Sequence, residues 1–163
     1  MTTSAATVRI ERHIPAAPHW VYRAWLDPDV IRQWLAPGDL TVARVDVDEK
    51  RGGRYRVWQQ DADAVIGGFE CEILELVADQ LLRFRWGFAG PDMSSGPVFD
   101  SVLTITLEPA SDGGTHLTLL HEKLDSLAAA LPDVARNVGP GWNAVIDELH
   151  ALSARPANLT EHQ

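Results

Sequence analysis

Cysteine is almost missing from this 163-residue chain: Cys71 stands alone. No internal disulfide can form, and a reducing compartment is the expectation. Basic residues are scarce as well. Fourteen Lys and Arg stand against 23 Asp and Glu, a formal net charge of −9. That balance argues against a nucleic-acid partner, because such binding is driven by cations that neutralise phosphates. No apolar run approaches the roughly 18 residues of a membrane span. The N-terminal MTTSAATVRIE has neither the basic region nor the apolar stretch of a secretory signal. The expected setting is therefore the cytoplasm, with neither membrane nor nucleic acid as partner.

Chemical motifs are equally sparse. The six histidines are dispersed, and His116 and His121, five apart on a strand, point to opposite faces, so no metal-ligand cluster is expected. Gly52-Gly53 and Gly113-Gly114 are not followed by Lys-Ser or Lys-Thr opening a helix. They fit hairpin turns, where glycine supplies a positive φ, and not a phosphate loop. There is no nucleophile elbow. Neither a metal nor another cofactor is expected.

What the chain does have is a hydrophobic share of 45% and a charged share of 23%, ordinary for a soluble protein and enough for one domain without a stabilising metal. We expect that domain over 7–154, with flexible tails at 1–6 and 155–163. Thr7 to Ile14 alternates as a half-buried strand. Pro18 opens a short helix with Trp20, Val21, Ala24 and Trp25 on one side, and Asp27-Pro28 ends it and caps a second carrying Val30, Ile31 and Trp34. After Pro37-Gly38 come strands at Leu40 to Val47, Arg54 to Gln60, Ala64 to Val77, Leu81 to Phe88, Val98 to Glu108 and Thr115 to Glu122, seven in all. Gly67-Gly68 inside the longest marks a bulge, a bend or a close backbone approach. Ala89 to Pro97 reads as a mobile loop, and Ser126 to Leu131 holds a helical turn. Gly139 to Ala154 reads as the long helix, with Pro140 in its first turn. Trp142, Val145, Ile146, Leu149 and Leu152 form an apolar stripe, and Asn143, Asp147 and His150 lie away from it. The fold class is α+β, an antiparallel sheet covered on one face by that helix.

The motifs PHWVYRAWLDP (18–28), QWLAP (33–37), GGRY (52–55), LLRFRW (81–86), GTHLTL (114–119) and Gly141-Trp142 together resemble the homologues of the activator of heat-shock protein 90 ATPase, over roughly Val8 to Leu152. That family sits within the START-like, polyketide-cyclase (SRPBCC) superfamily. The resemblance implies a helix-grip fold, a curved sheet wrapped around the C-terminal helix with a cavity between them. The eukaryotic co-chaperone has an additional N-terminal domain, whereas about six residues precede the first strand here, so chaperone activation is not expected.

Strand parity proposes the lining of the concave face. Tyr55, Val57, Phe69, Cys71, Phe84, Trp86, Leu103, Leu119 and His121 point inward under Trp142, and these ten are the candidate ligand-binding residues. For each, plain core packing is the alternative. His121, the polar exception, is a hydrogen-bond anchor or general base, or else a satisfied core histidine. A Cys71–His121 nucleophilic pair has no motif behind it. Trp58 has the opposite parity, and is either part of a partner surface or a homodimer contact, or a solvent-facing residue without function. The expected function is uptake of a hydrophobic or aromatic small molecule into the cavity. The alternatives are a cyclase- or hydrolase-type enzyme using His121 and Tyr55, and a chaperone-associated interaction module.

Overall fold

Alternating apolar residues build the sheet. The structure, a computed structural model, describes residues 7–36, 40–61, 64–89, 101–125 and 132–154. The expected tails, the Pro37-Gly38 break, the turn at 62–63, most of the expected loop at 89–97, residues 98–100 of the expected sixth strand, and the helical turn at 126–131 lie outside the described residues. The strands are β1 (Val8–Ile14), β2 (Thr41–Val47), β3 (Arg54–Asp61), β4 (Ala64–Val77), β5 (Leu81–Ala89), β6 (Ser101–Pro109) and β7 (Thr115–Glu122). They form one antiparallel sheet in the order β1-β7-β6-β5-β4-β3-β2. Inward residues are buried at every second position along β3, β6 and β7. On the outer face, arginines and carboxylates pair across neighbouring strands: Arg56 with Glu70, Arg85 with Glu72 and Arg83 with Glu75. Opposite charges placed directly across a ladder support the register as well as solubility.

Helices α1 (Pro18–Leu26) and α2 (Pro28–Trp34) follow β1. Asp27 joins them as expected: its backbone N–H donates to Arg23 O (2.8 Å) to end α1, and its carboxylate accepts from the Asp29 N–H (3.0 Å) to begin α2. A helix leaves its last carbonyls without internal partners, and here side chains from elsewhere supply them. Trp34 Nε1–H donates to Ala24 O (3.1 Å) and the Tyr55 hydroxyl to Trp25 O (2.6 Å). The end of α2 is tied to β3 in the same way, Gln59 Nε2–H donating to Leu35 O (3.2 Å).

The long helix α3 spans Pro132–Ser153, 22 residues, and this corrects the expected start at Gly139. Val138, one turn before Trp142, is also buried, so the apolar stripe extends backward past Pro140. Pro132 takes the opening position that Pro140 was expected to hold. Pro140 is interior, where its missing N–H removes one helical hydrogen bond. Packing of Val138, Trp142, Val145, Ile146, Leu149 and Leu152, all buried, stabilises by about 1.5 to 3 kcal/mol for each large side chain and outweighs that loss. The polar side is held too. Arg12 on edge strand β1 donates to Asp147 Oδ1, and to Asn143 Oδ1 at 3.0 Å.

Gly67-Gly68 lies where the β3–β4 register shifts, between Gln59 and Gln60. At Gly68 a Cβ would run into the carbonyl oxygen of Val57, so the close approach requires glycine. Gly68→Ala is therefore expected to destabilise by about 1 to 3 kcal/mol in urea unfolding. Gly141→Ala, inside α3 with open space around the added methyl, is expected to stabilise by about 0.5 to 1 kcal/mol. Trp142→Ala, at a residue 4% exposed, should cost about 3 to 5 kcal/mol in the same measurement, and a loss below 1 kcal/mol would contradict the helix's role as the cover of the sheet.

Candidate functional site

Strand parity carries nine of the candidate residues onto the face under α3. Tyr55, Val57, Cys71, Phe84, Trp86, Leu103, Leu119 and His121 are buried, as is Trp142 above them, while Phe69 is half-buried. They form two groups. Phe69 packs against Trp86 (ring centroids 5.3 Å) and Trp142 (5.6 Å), and His121 meets Trp86 edge-on (4.7 Å) and Trp142 (6.1 Å). Tyr55 and Phe84 form a separate pair at 4.7 Å. Val57 is the register partner of Phe69, and Leu103 of His121. Leu119 is paired with Ile105 on β6. Trp25 of α1 joins the first group through Trp142, 6.2 Å away.

A chain of hydrogen bonds runs through the first group. Trp142 Nε1–H lies 3.0 Å from His121 Nδ1, His121 Nε2 lies 2.7 Å from Ser101 Oγ, and Ser101 Oγ lies 3.0 Å from Trp86 O. The direction of each bond follows from its ends. An indole nitrogen only donates and a carbonyl only accepts. Nδ1 is therefore the acceptor, Nε2 carries the proton and donates to Ser101, and the Ser101 hydroxyl donates to Trp86 O. His121 is neutral in this arrangement, and burial holds its pKa down to about 3. As arranged, it takes no proton from Ser101, so the pair is not an activated nucleophile of the Ser–His kind.

Cys71 does not meet His121. The two lie on strands three places apart, roughly 14 Å along a sheet, and burial pushes the thiol well above its ordinary range, which keeps it protonated and unreactive. The Tyr55 hydroxyl is likewise raised by burial and is engaged with Trp25 O. Among the described residues no three His, Cys, Asp or Glu side chains gather as a metal site. Trp58 is half-buried instead of open to solvent, because the Arg44 guanidinium covers its ring at 4.9 Å.

Two members of the site had no role assigned from sequence. Ser101 shares the inward parity of Leu103, a polar residue in an apolar row, and that was the available signal. Trp25 had the signal of a core residue only. A depression of about 830 Å³ also lies over the outer face, bordered by Arg44, Arg54, Arg85, Glu70 and Glu72. Within it Arg85 is paired with Glu72, and Glu70 with Arg56.

A seven-stranded antiparallel sheet closed over a C-terminal helix, with two short helices after the first strand, defines an α+β helix-grip protein of the START-like type. Residues 15–154 match the family described as activator of Hsp90 ATPase homolog 1-like protein, and the chain belongs to that family. It is similar to a Chromobacterium violaceum protein of known crystal structure at 29% identity, TM-score 0.75, over 92% of this chain and 99% of that one. A Mycobacterium smegmatis protein (24% identity, TM-score 0.76, 93% and 92% covered) and the AHSA1 protein from Silicibacter pomeroyi (20%, 0.73, 97% and 100%) share the fold. A comparison with curated proteins finds no match. Among the described residues no helix is long and apolar enough to cross a membrane.

The neutral His121 has a consequence for stability. Its folded pKa lies near 3 against about 6.5 unfolded, so between those values the unfolded chain binds a proton that the folded one refuses. The stability it contributes is complete above pH 6.5 and is lost as pH falls toward 3, approaching about 1.4 kcal/mol per pH unit. Urea unfolding between pH 7 and 5 should show this slope in the parent protein, and a shallower one in His121→Asn. Equal slopes would mean that His121 titrates normally.

Proposed function

We propose that the protein binds a hydrophobic or aromatic small molecule between the sheet and α3, without metal or nucleotide. The observation that supports this is the ring cluster of Phe69, Trp86, His121 and Trp142, buried except at Phe69. Large aromatic walls with a few fixed polar atoms among them are the usual lining of a small-molecule site, and a half-buried ring at the margin is where a ligand reaches such a lining. Tyr55, Val57, Cys71, Phe84, Leu103 and Leu119 form the apolar floor of the same face. Family membership supports a ligand-binding fold in general. Catalysis is the weaker reading, because the two residues it would use are engaged, His121 at both ring nitrogens and Tyr55 at its hydroxyl.

The test uses 1-aminoanthracene, a neutral aromatic dye. Its fluorescence should rise saturably with one site per chain, and tryptophan emission should fall in parallel. Phe69→Trp fills part of the volume the dye would use, so dye affinity should drop while the melting temperature hardly moves, since added contacts in open space carry no strain. In a closed core the same change strains the packing by about 1 to 3 kcal/mol. A destabilised variant together with no saturable dye binding to the parent would overturn the reading.

A further inference from the structure

The sheet does not close on itself. Its two edges are β1 and β2, and an edge strand offers unpaired backbone N–H and C=O groups to another extended chain. At β1 the outward charges are taken up within the chain. Glu11 accepts from Arg9 at 2.8 Å and lies 3.1 Å from His116 Nε2 on β7, and Arg12 ties the strand to α3. β2 is less engaged. Among the described residues its backbone takes part in no hydrogen bond beyond the ladder with β3, and Thr41, Ala43 and Arg44 are exposed.

Charge on the outer face follows the ladder. Asp46, Arg56 and Glu70 are successive register partners across β2, β3 and β4, as Arg54, Glu72 and Arg85 are across β3, β4 and β5. Both rows alternate in sign, the arrangement that stabilises cross-strand neighbours. The first row stops at Asp46, so the position beyond the edge calls for a cation. Two residues back, Arg44 lies opposite Trp58 with its guanidinium over the ring, and the position beyond it calls for an anion. Within the single chain these two charges meet only along the strand, at 3.2 Å, with 58% and 37% of their side chains exposed.

We propose that β2 is an interface between two copies of this chain, paired antiparallel about a two-fold axis at Val45. Arg44 of each copy then faces the partner's Asp46, and the row from Glu70 through Arg56 and Asp46 continues without a break in its alternation. Neighbouring registers fail this condition. An axis at Arg44 sets arginine against arginine, an axis at Asp46 sets carboxylate against carboxylate, and a slip of one residue turns inward side chains against outward ones. Trp58 takes part through Arg44, which it supports from beneath. The register shift between Val42 and Arg44 keeps the new ladder short, and each copy carries a net charge of −9, so the association is weak. It is also selective, because charges that turn away a foreign strand match a second copy of their own.

Sedimentation equilibrium from about 10 µM to about 1 mM, the range of weak interfaces, should show a monomer–dimer equilibrium. Arg44→Asp and Asp46→Arg should each weaken self-association on the order of tenfold or more, since each sets like charges opposite one another. Mixed together, the two variants should form a heterodimer at least as tightly as the parent forms its homodimer, a rescue that a role confined to one chain would not produce. In the unaltered 15N-labelled protein, the amide resonances of Thr41 to Val47 should shift with concentration. A parent that stays monomeric over that range would overturn the proposal and leave the bulge and charges of β2 as protection of a free edge. Shifts confined to another surface, or variants that associate alone as well as when mixed, would overturn it too. Because the shifts are read on the unaltered protein, they decide even where a variant does not fold, and none of these outcomes bears on the ligand-binding reading.

Discussion

The hydrogen bond from the Trp142 indole to His121 Nδ1 joins α3 to β7 at a point where neither residue has an exposed alternative. Its direction sets the state of everything beyond it. With Nδ1 accepting, the imidazole must carry its proton on Nε2, Ser101 must turn its own proton toward Trp86 O, and β5, β6 and β7 are linked through side chains as well as through the ladder. A protonated imidazole would present N–H to N–H at Trp142. The helix is thus seated on a histidine that has to remain neutral, and burial keeps it so.

Around that contact, backbone groups that secondary structure leaves unpaired are met by side chains of other elements. The carbonyls at the end of α1 accept from Trp34 and Tyr55, the end of α2 from Gln59, and Ala16 O from Thr115 Oγ1 at 2.7 Å. Each such bond contributes only about 1 kcal/mol net, but its loss would leave a buried acceptor unsatisfied. The two short helices are therefore fixed to the sheet by polar contacts as well as by their apolar faces. This explains how helices of nine and seven residues, too short to be stable alone, hold Trp25 against Trp142.

Much of this could be read from the residues, for reasons that differ by element. The inner face from Tyr55 to His121 was legible because a sheet buried on one side imposes a period of two, and a slip of one position would have exposed every apolar residue. Asp27-Pro28 was legible because capping is local chemistry. Gly67-Gly68 was legible because only a special backbone tolerates two glycines in a strand. The start of α3 was not. Pro132 and Pro140 are both acceptable first residues, and the choice depends on Val138 finding a buried place, which is a tertiary fact. Ser101, the tautomer of His121 and the approach of Trp25 to Trp142 were hidden for the same reason: each depends on strand register or helix placement that brings together residues far apart in the chain.

The buried hydrogen-bond chain also makes the molecule its own clock. The protons on Trp142 Nε1 and His121 Nε2 trade with those of water only through an opening that exposes them, since both atoms lie in buried side chains engaged with each other or with Ser101. Their lifetimes therefore report the free energy of exposing the α3–β7 contact, and comparing them with the lifetimes of the sheet amides tells whether the helix opens by itself or only with the whole fold.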